Sequence, residues 1–108
     1  MMRLLISLCV VAACSNSPTT PALGDPCASD TDCAHRCATG QDFPGGFCTQ
    51  TCTSDADCPV NAACVNRNNG ICLFRCTQVD CGFLGPMWRC DGRDAIGGGQ
   101  VNVCIGPG

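Results

Sequence analysis

The chain is predicted to be a small disulfide-rich fold: three tandem four-cysteine repeats, each a short helical turn plus a small β-hairpin, with little regular secondary structure. Three observations predict it. Fourteen of the 108 residues are cysteine, and twelve of them fall into three sets of four. These are Cys27, Cys33, Cys37 and Cys48, then Cys52, Cys58, Cys64 and Cys72, then Cys76, Cys81, Cys90 and Cys104. Large apolar side chains are scarce, with four Phe, one Trp and no Tyr, against 13 Gly and 7 Pro. An export signal stands at the N-terminus, and cysteine above about 8–10% in a short exported chain marks a disulfide scaffold.

Residues 1–13 carry one positive charge at Arg3 and then an unbroken apolar or small run from Leu4 to Ala13. A run of about ten residues is too short to span a bilayer, which takes about 20, and it reads as a signal peptide that is removed. Val11-Ala12-Ala13-Cys14 resembles the lipobox of bacterial lipoproteins, in which the cysteine is acylated and becomes the new N-terminus. Small residues at Val11 and Ala13 suit an ordinary signal peptidase equally well, so parity is used to choose. Cleavage without acylation leaves one odd thiol, whereas lipidation of Cys14 leaves twelve cysteines, all pairable. Ser15 in place of a retention aspartate points to the outer membrane by the sorting rule such lipoproteins follow. Residues 14–24 are then a lipidated cysteine and a Ser/Thr/Pro tether, reaching roughly 30 Å when extended.

Three units follow, over 25–51, 52–75 and 76–108. Each opens on a related segment: CASDTDC at 27–33, CTSDADC at 52–58 and the shorter CTQVDC at 76–81. A hydroxyl residue stands three places before an aspartate in every one: Ser29 and Asp32, Ser54 and Asp57, Thr77 and Asp80. This is the spacing of a capping box, so a helical turn is expected to carry Cys33, Cys58 and Cys81, with Pro59 helping to end the second. Each unit closes across a turn, at 42–46, 68–70 and 97–99, where glycine and asparagine tolerate the positive φ of tight hairpins. Four cysteines allow three connectivities, and spacing alone does not choose among them. First-to-third with second-to-fourth is preferred because it ties the helical turn to the hairpin. Linkers of three residues between sets suggest a stiff, rod-like array, with disulfides standing in for a missing core.

The pattern CxSDxDC, followed by a third cysteine, a glycine turn and the fourth cysteine, is similar to the repeats of Dickkopf-type and EB-type modules. It resembles still more the short cysteine-rich lipoproteins of myxobacteria. The similarity covers residues 25–76; beyond them only the cysteine count corresponds. It implies an extracellular binding or structural module. The receptor binding of Dickkopf proteins is not implied, because the framework is shared and no recognition motif is.

Several chemistries are set aside. No C-x2-C pair occurs, which argues against zinc knuckles, thioredoxin-type redox chemistry and haem attachment, so no metal or other cofactor is expected. Asp30/Asp32 and Asp55/Asp57 could ligate calcium, but capping already accounts for one acid of each pair. His35 is the single histidine and is read as a surface residue, since neither a nucleophile elbow nor a free thiol is there to work with it. From Cys14 onward the chain has five Arg, nine Asp, no Lys and no Glu, which gives no electrostatic footprint for nucleic acid.

The remaining candidate is the apolar cluster Phe83, Leu84, Met87 and Trp88, with Arg89 and Arg93 beside it. It either packs locally over the disulfides or projects as a recognition patch. The expected function is a non-enzymatic, surface-anchored module of the cell envelope, held to the membrane by the N-terminal lipid and binding an envelope or extracellular protein or glycan, or spacing the surface. The alternative is an inhibitor of an exported hydrolase that presents Asp42 to Gly46 or Gly82 to Trp88. Rigid loops suit that role because little ordering entropy is lost on binding.

Overall fold

Three antiparallel hairpins supply the paired strands of the described residues, which in this computed structural model are 22–77 and 80–107. The segment read as a signal peptide, the cysteine expected to be acylated, Cys14, and the expected tether up to residue 21 lie outside the described residues. β1 (Arg36–Ala38) pairs with β2 (Phe47–Thr49), β3 (Ala62–Val65) with β4 (Ile71–Phe74), and β5 (Arg89–Asp94) with β6 (Gln100–Ile105). The turns fall where the glycine and asparagine runs put them: Asn68, Asn69 and Gly70 all have positive φ between β3 and β4. Gly46 and Gly70 answer a second demand. A Cβ on either would collide with the backbone of Cys27 or Cys52, so glycine lets the first cysteine of a set lie flat against its hairpin.

The helical segments are single 3-10 turns. Asp30–Asp32 leads into Cys33 and Asp55–Asp57 into Cys58, each with the capping box the sequence predicts. The bonds that fix the box come from the acid, whose Oδ2 accepts the N–H of Ser29 at 3.1 Å in the first turn and of Ser54 at 3.3 Å in the second. Pro59 is not what ends the second turn. Cys33, followed by alanine, leaves its turn with ψ 161°, as extended as Cys58 before the proline at 157°. The third segment departs from expectation. Its turn, Cys81–Leu84, begins at the cysteine, and Asp80 is its N-cap, accepting the Gly82 N–H at 3.1 Å. With one residue fewer between the cysteines, Asp80 precedes the turn and cannot serve as the third residue of a box led by Thr77.

The six disulfides are Cys27–Cys37, Cys33–Cys48, Cys52–Cys64, Cys58–Cys72, Cys76–Cys90 and Cys81–Cys104. In each set the first cysteine joins the third and the second joins the fourth. The third and fourth face each other across every hairpin, Cys37 opposite Cys48, Cys64 opposite Cys72 and Cys90 opposite Cys104. Each nevertheless bonds back to the segment before its hairpin, so both strands are clamped to that segment.

A coreless rod is not what forms. One buried cluster takes Ala38, Phe43 and Phe47 from the first hairpin region, Val65, Ile71 and Leu73 from the second, and Trp88, Val103 and Ile105 from the third. The contacts between units explain why. The Thr49 hydroxyl donates to the Cys72 carbonyl at 2.6 Å and accepts the Cys72 N–H at 3.1 Å, joining the first unit to the second. Isolated bridges Val65–Ala95 and Arg75–Val103 join the second to the third. The third then returns to the first, with the Gly106 N–H donating to the Asp42 carbonyl at 2.7 Å. Three hairpins that would each be marginal alone bury one face together.

The last residues of the segment read as a tether dock on the same core. Leu23 packs against the buried clusters, and the Gly24 N–H donates to the Cys48 carbonyl at 2.9 Å. A Cβ on Gly24, at φ 95°, would press into the Phe74 ring. Ala22 to Gly24 therefore belong to the folded part.

Candidate interaction surface

Trp88 is 6% exposed, which removes it from the recognition patch. Its ring lies 5.2 Å from that of Phe47 and 6.4 Å from that of Phe43, and Nε1 donates to the Pro44 carbonyl at 3.2 Å. The indole is therefore a bolt between the third unit and the turn of the first, with its polar atom satisfied. Its neighbours behave differently. Phe83 is 61% and Met87 56% exposed, Leu84 is half-buried and Arg89 is exposed. The Phe83 ring leans on Phe74 edge to face at 5.4 Å, while Arg93 turns to Asp91 at 2.9 Å. What remains as a surface is the loop bearing Phe83 and Met87.

The loop Asp42 to Gly46, one of the two offered for insertion into an enzyme, is held inside the fold. Phe43 is buried, the Pro44 carbonyl receives Trp88, the Asp42 carbonyl receives Gly106, and the Asp42 carboxylate pairs with Arg67 at 2.6 Å.

The paired acids have a role that spacing alone did not disclose. The Asp30 Oδ1 accepts the N–H of Cys37 at 2.9 Å, and the Asp55 Oδ1 accepts that of Cys64 at 2.8 Å. In each pair, then, one carboxylate closes the turn and the other ties that turn to the third cysteine. Asp55 also meets Arg75 at 2.9 Å. One oxygen of each of the four acids is thus taken by backbone N–H groups. The cysteine sulfurs also cluster, with those of Cys27, Cys33 and Cys37 within 4.8 Å of one another, and likewise Cys52, Cys58 and Cys72, and Cys76, Cys81 and Cys104. All are oxidised in disulfides and offer no thiolate. His35 is exposed, as expected.

Backbone N–H donors from Ala28 and Ser29 hold the Asp32 carboxyl below the usual carboxylate range, and the Thr53 N–H and hydroxyl do the same for Asp57. A carboxylate whose pKa is lower folded than unfolded stabilises the fold at pH above its unfolded value, and that contribution is lost as pH falls through the folded one. Stability is therefore expected to be flat from neutral pH down to about 4 and to decline below it. The paired substitution Asp32→Asn and Asp57→Asn should flatten that decline when melting is followed from pH 7 to 2. An unchanged acid limb would show that these caps are not its source.

No helix among the described residues is long and apolar enough to cross a membrane. Comparison with protein families, with curated proteins and with solved structures finds no match to this chain.

Proposed function

We propose that the chain is a non-enzymatic, lipid-anchored module of the cell envelope, built from three tandem four-cysteine units and acting as a binding or structural element at a membrane surface. The observation that carries it is the use of cysteine. All twelve cysteines after Cys14 are spent in six disulfides, which supports reading Cys14 as the acceptor at the lipobox-like boundary and not as a disulfide partner of the folded part. An oxidised scaffold with no free thiol among the described residues, an exposed histidine and acids that accept backbone N–H groups suit presentation more than chemistry. The resemblance to cysteine-rich lipoproteins, and with it an outer-membrane location, belongs to the same proposal.

The test is the intact mass of the chain extracted from its native membrane, before and after reduction and alkylation, with the N-terminal peptide sequenced. The expected result is an acylated Cys14 and twelve alkyl groups gained only after reduction. An unmodified Cys14, or alkylation without reduction, would overturn the reading.

A further inference from the structure

Phe83 and Met87 are not scattered apolar residues; they lie beside the place where the tether enters the fold. A groove of about 330 Å³ is lined at one side by Leu23 and Gly24, the first residues to dock, and at the other by Phe83, Leu84 and Trp88, with Pro44 between. Met87 continues the surface through Pro44, which lines the neighbouring depression with it. Ala22 and Leu23 also share a second depression with Pro59. Phe83 therefore borders the segment that leads to Cys14, and Met87 adjoins it through Pro44. Asp25 also lines this groove, and its carboxylate accepts the Ala22 N–H at 2.9 Å.

From Cys14 to Ala22 is eight residue steps, which span at most about 28 Å when fully extended. Resting on the lipid-anchor reading, we infer that this loop face is a membrane-contact surface, with Phe83 and Met87 seated in the interfacial region of the bilayer that holds the acyl chains. The occupant is fixed by length: a chain tied so closely meets its own membrane at a high effective concentration, so a contact too weak to bind lipid unaided is enough to orient the domain. Aromatic and apolar side chains on a polar body are the kind that settle at this depth. The anchor supplies attachment; the loop decides which face of the hairpins points outward.

The experiment uses the acylated full chain in vesicles of phosphatidylethanolamine and phosphatidylglycerol with brominated acyl chains. Phe83→Trp is the reporter and Met87→Trp a second one, with the unsubstituted chain giving the Trp88 background. Gln100→Trp is the control, because Gln100 pairs with Asp94 at the far end of β5 and β6, about 17 Å along the strand from Arg89. Each variant is first shown by mass to hold six disulfides. Interfacial side chains sit about 5–10 Å into the boundary, so both reporters should be quenched several-fold more than the control. Weak, equal quenching in a chain that is acylated and floats with the vesicles would overturn the inference and leave the anchor standing. A chain that neither carries acyl groups nor floats would overturn both. Reporter emission that follows protein density and ignores bromine would assign the face to a second copy and also overturn it.

Discussion

Trp88→Ala is expected to destabilise the fold by about 3–5 kcal/mol, the usual cost of emptying a large aromatic site. For a domain of this size that lowers the melting temperature by well over about 10 °C. The physical basis is the double commitment of the indole. It fills the space between Phe43 and Phe47, and it satisfies the Pro44 carbonyl through Nε1. Alanine leaves a cavity and an orphaned acceptor at once. Phe83→Ala, two turns of backbone away and on the surface, should cost less than about 1 kcal/mol. Melting both variants with disulfides intact separates a core tryptophan from a recognition tryptophan, since only the first predicts a gap between them. Hydrogen exchange adds a local readout. The Gly106 amide, which donates to Asp42 across the same junction, should lose protection in Trp88→Ala. The Cys64 amide, which donates to Asp55 within the second unit, should keep its protection. Equal melting of the two variants would show that Trp88 does not bolt the units together.

That junction is also where sequence reading reached its limit. The hairpins and their turns were legible because each is encoded within a few residues: Asn68, Asn69 and Gly70 specify a turn wherever they stand. The disulfide preference followed from a local argument too, that a turn must be tied to the hairpin beside it. Trp88 and Pro44, by contrast, are 44 residues apart. Nothing in the spacing of Phe43, Phe47, Trp88 and Ile105 announces that they share one core, and short strands with mixed polarity carry no period to extrapolate. The same limit hid Asp30 and Asp55. Their recurrence in SDTD and SDAD was visible, but their partners are backbone N–H groups of Cys37 and Cys64, and a backbone donor has no signature in sequence. The exposed loop was half legible: Phe83, Leu84, Met87 and Trp88 stood out as a cluster, while which of them turned inward depended on a cavity built by another unit.

Replacing Cys81 and Cys104 together by alanine is expected to do more damage than removing the bond between Cys27 and Cys37. In the chain-entropy account, a closed loop with 23 residues of separation constrains the unfolded chain by about 3.4 kcal/mol. The bond from Cys27 to Cys37, with a separation of 10, gives about 2.7 kcal/mol. Entropy alone makes the two nearly equal, so burial decides. Cys81 and Cys104 lie inside the shared cluster with Trp88 and Ile105, and their removal leaves a void that the neighbours must fill or leave empty. Cys27 and Cys37 are only half-buried, and the packing they support is small. The gap between the two double variants should therefore be about 2 kcal/mol, several times the entropic difference. Total stability of small domains is about 5–15 kcal/mol, so the Cys81/Cys104 variant will sit near the threshold of folding. Unfolding of both five-disulfide proteins, each verified by mass, measures the gap. Should the Cys81/Cys104 variant fail to yield a unique five-disulfide form under conditions where the Cys27/Cys37 variant does, the same conclusion holds by another route. Equal losses would mean that the third unit hangs on its neighbours without sharing their core, and would count against Trp88 as well.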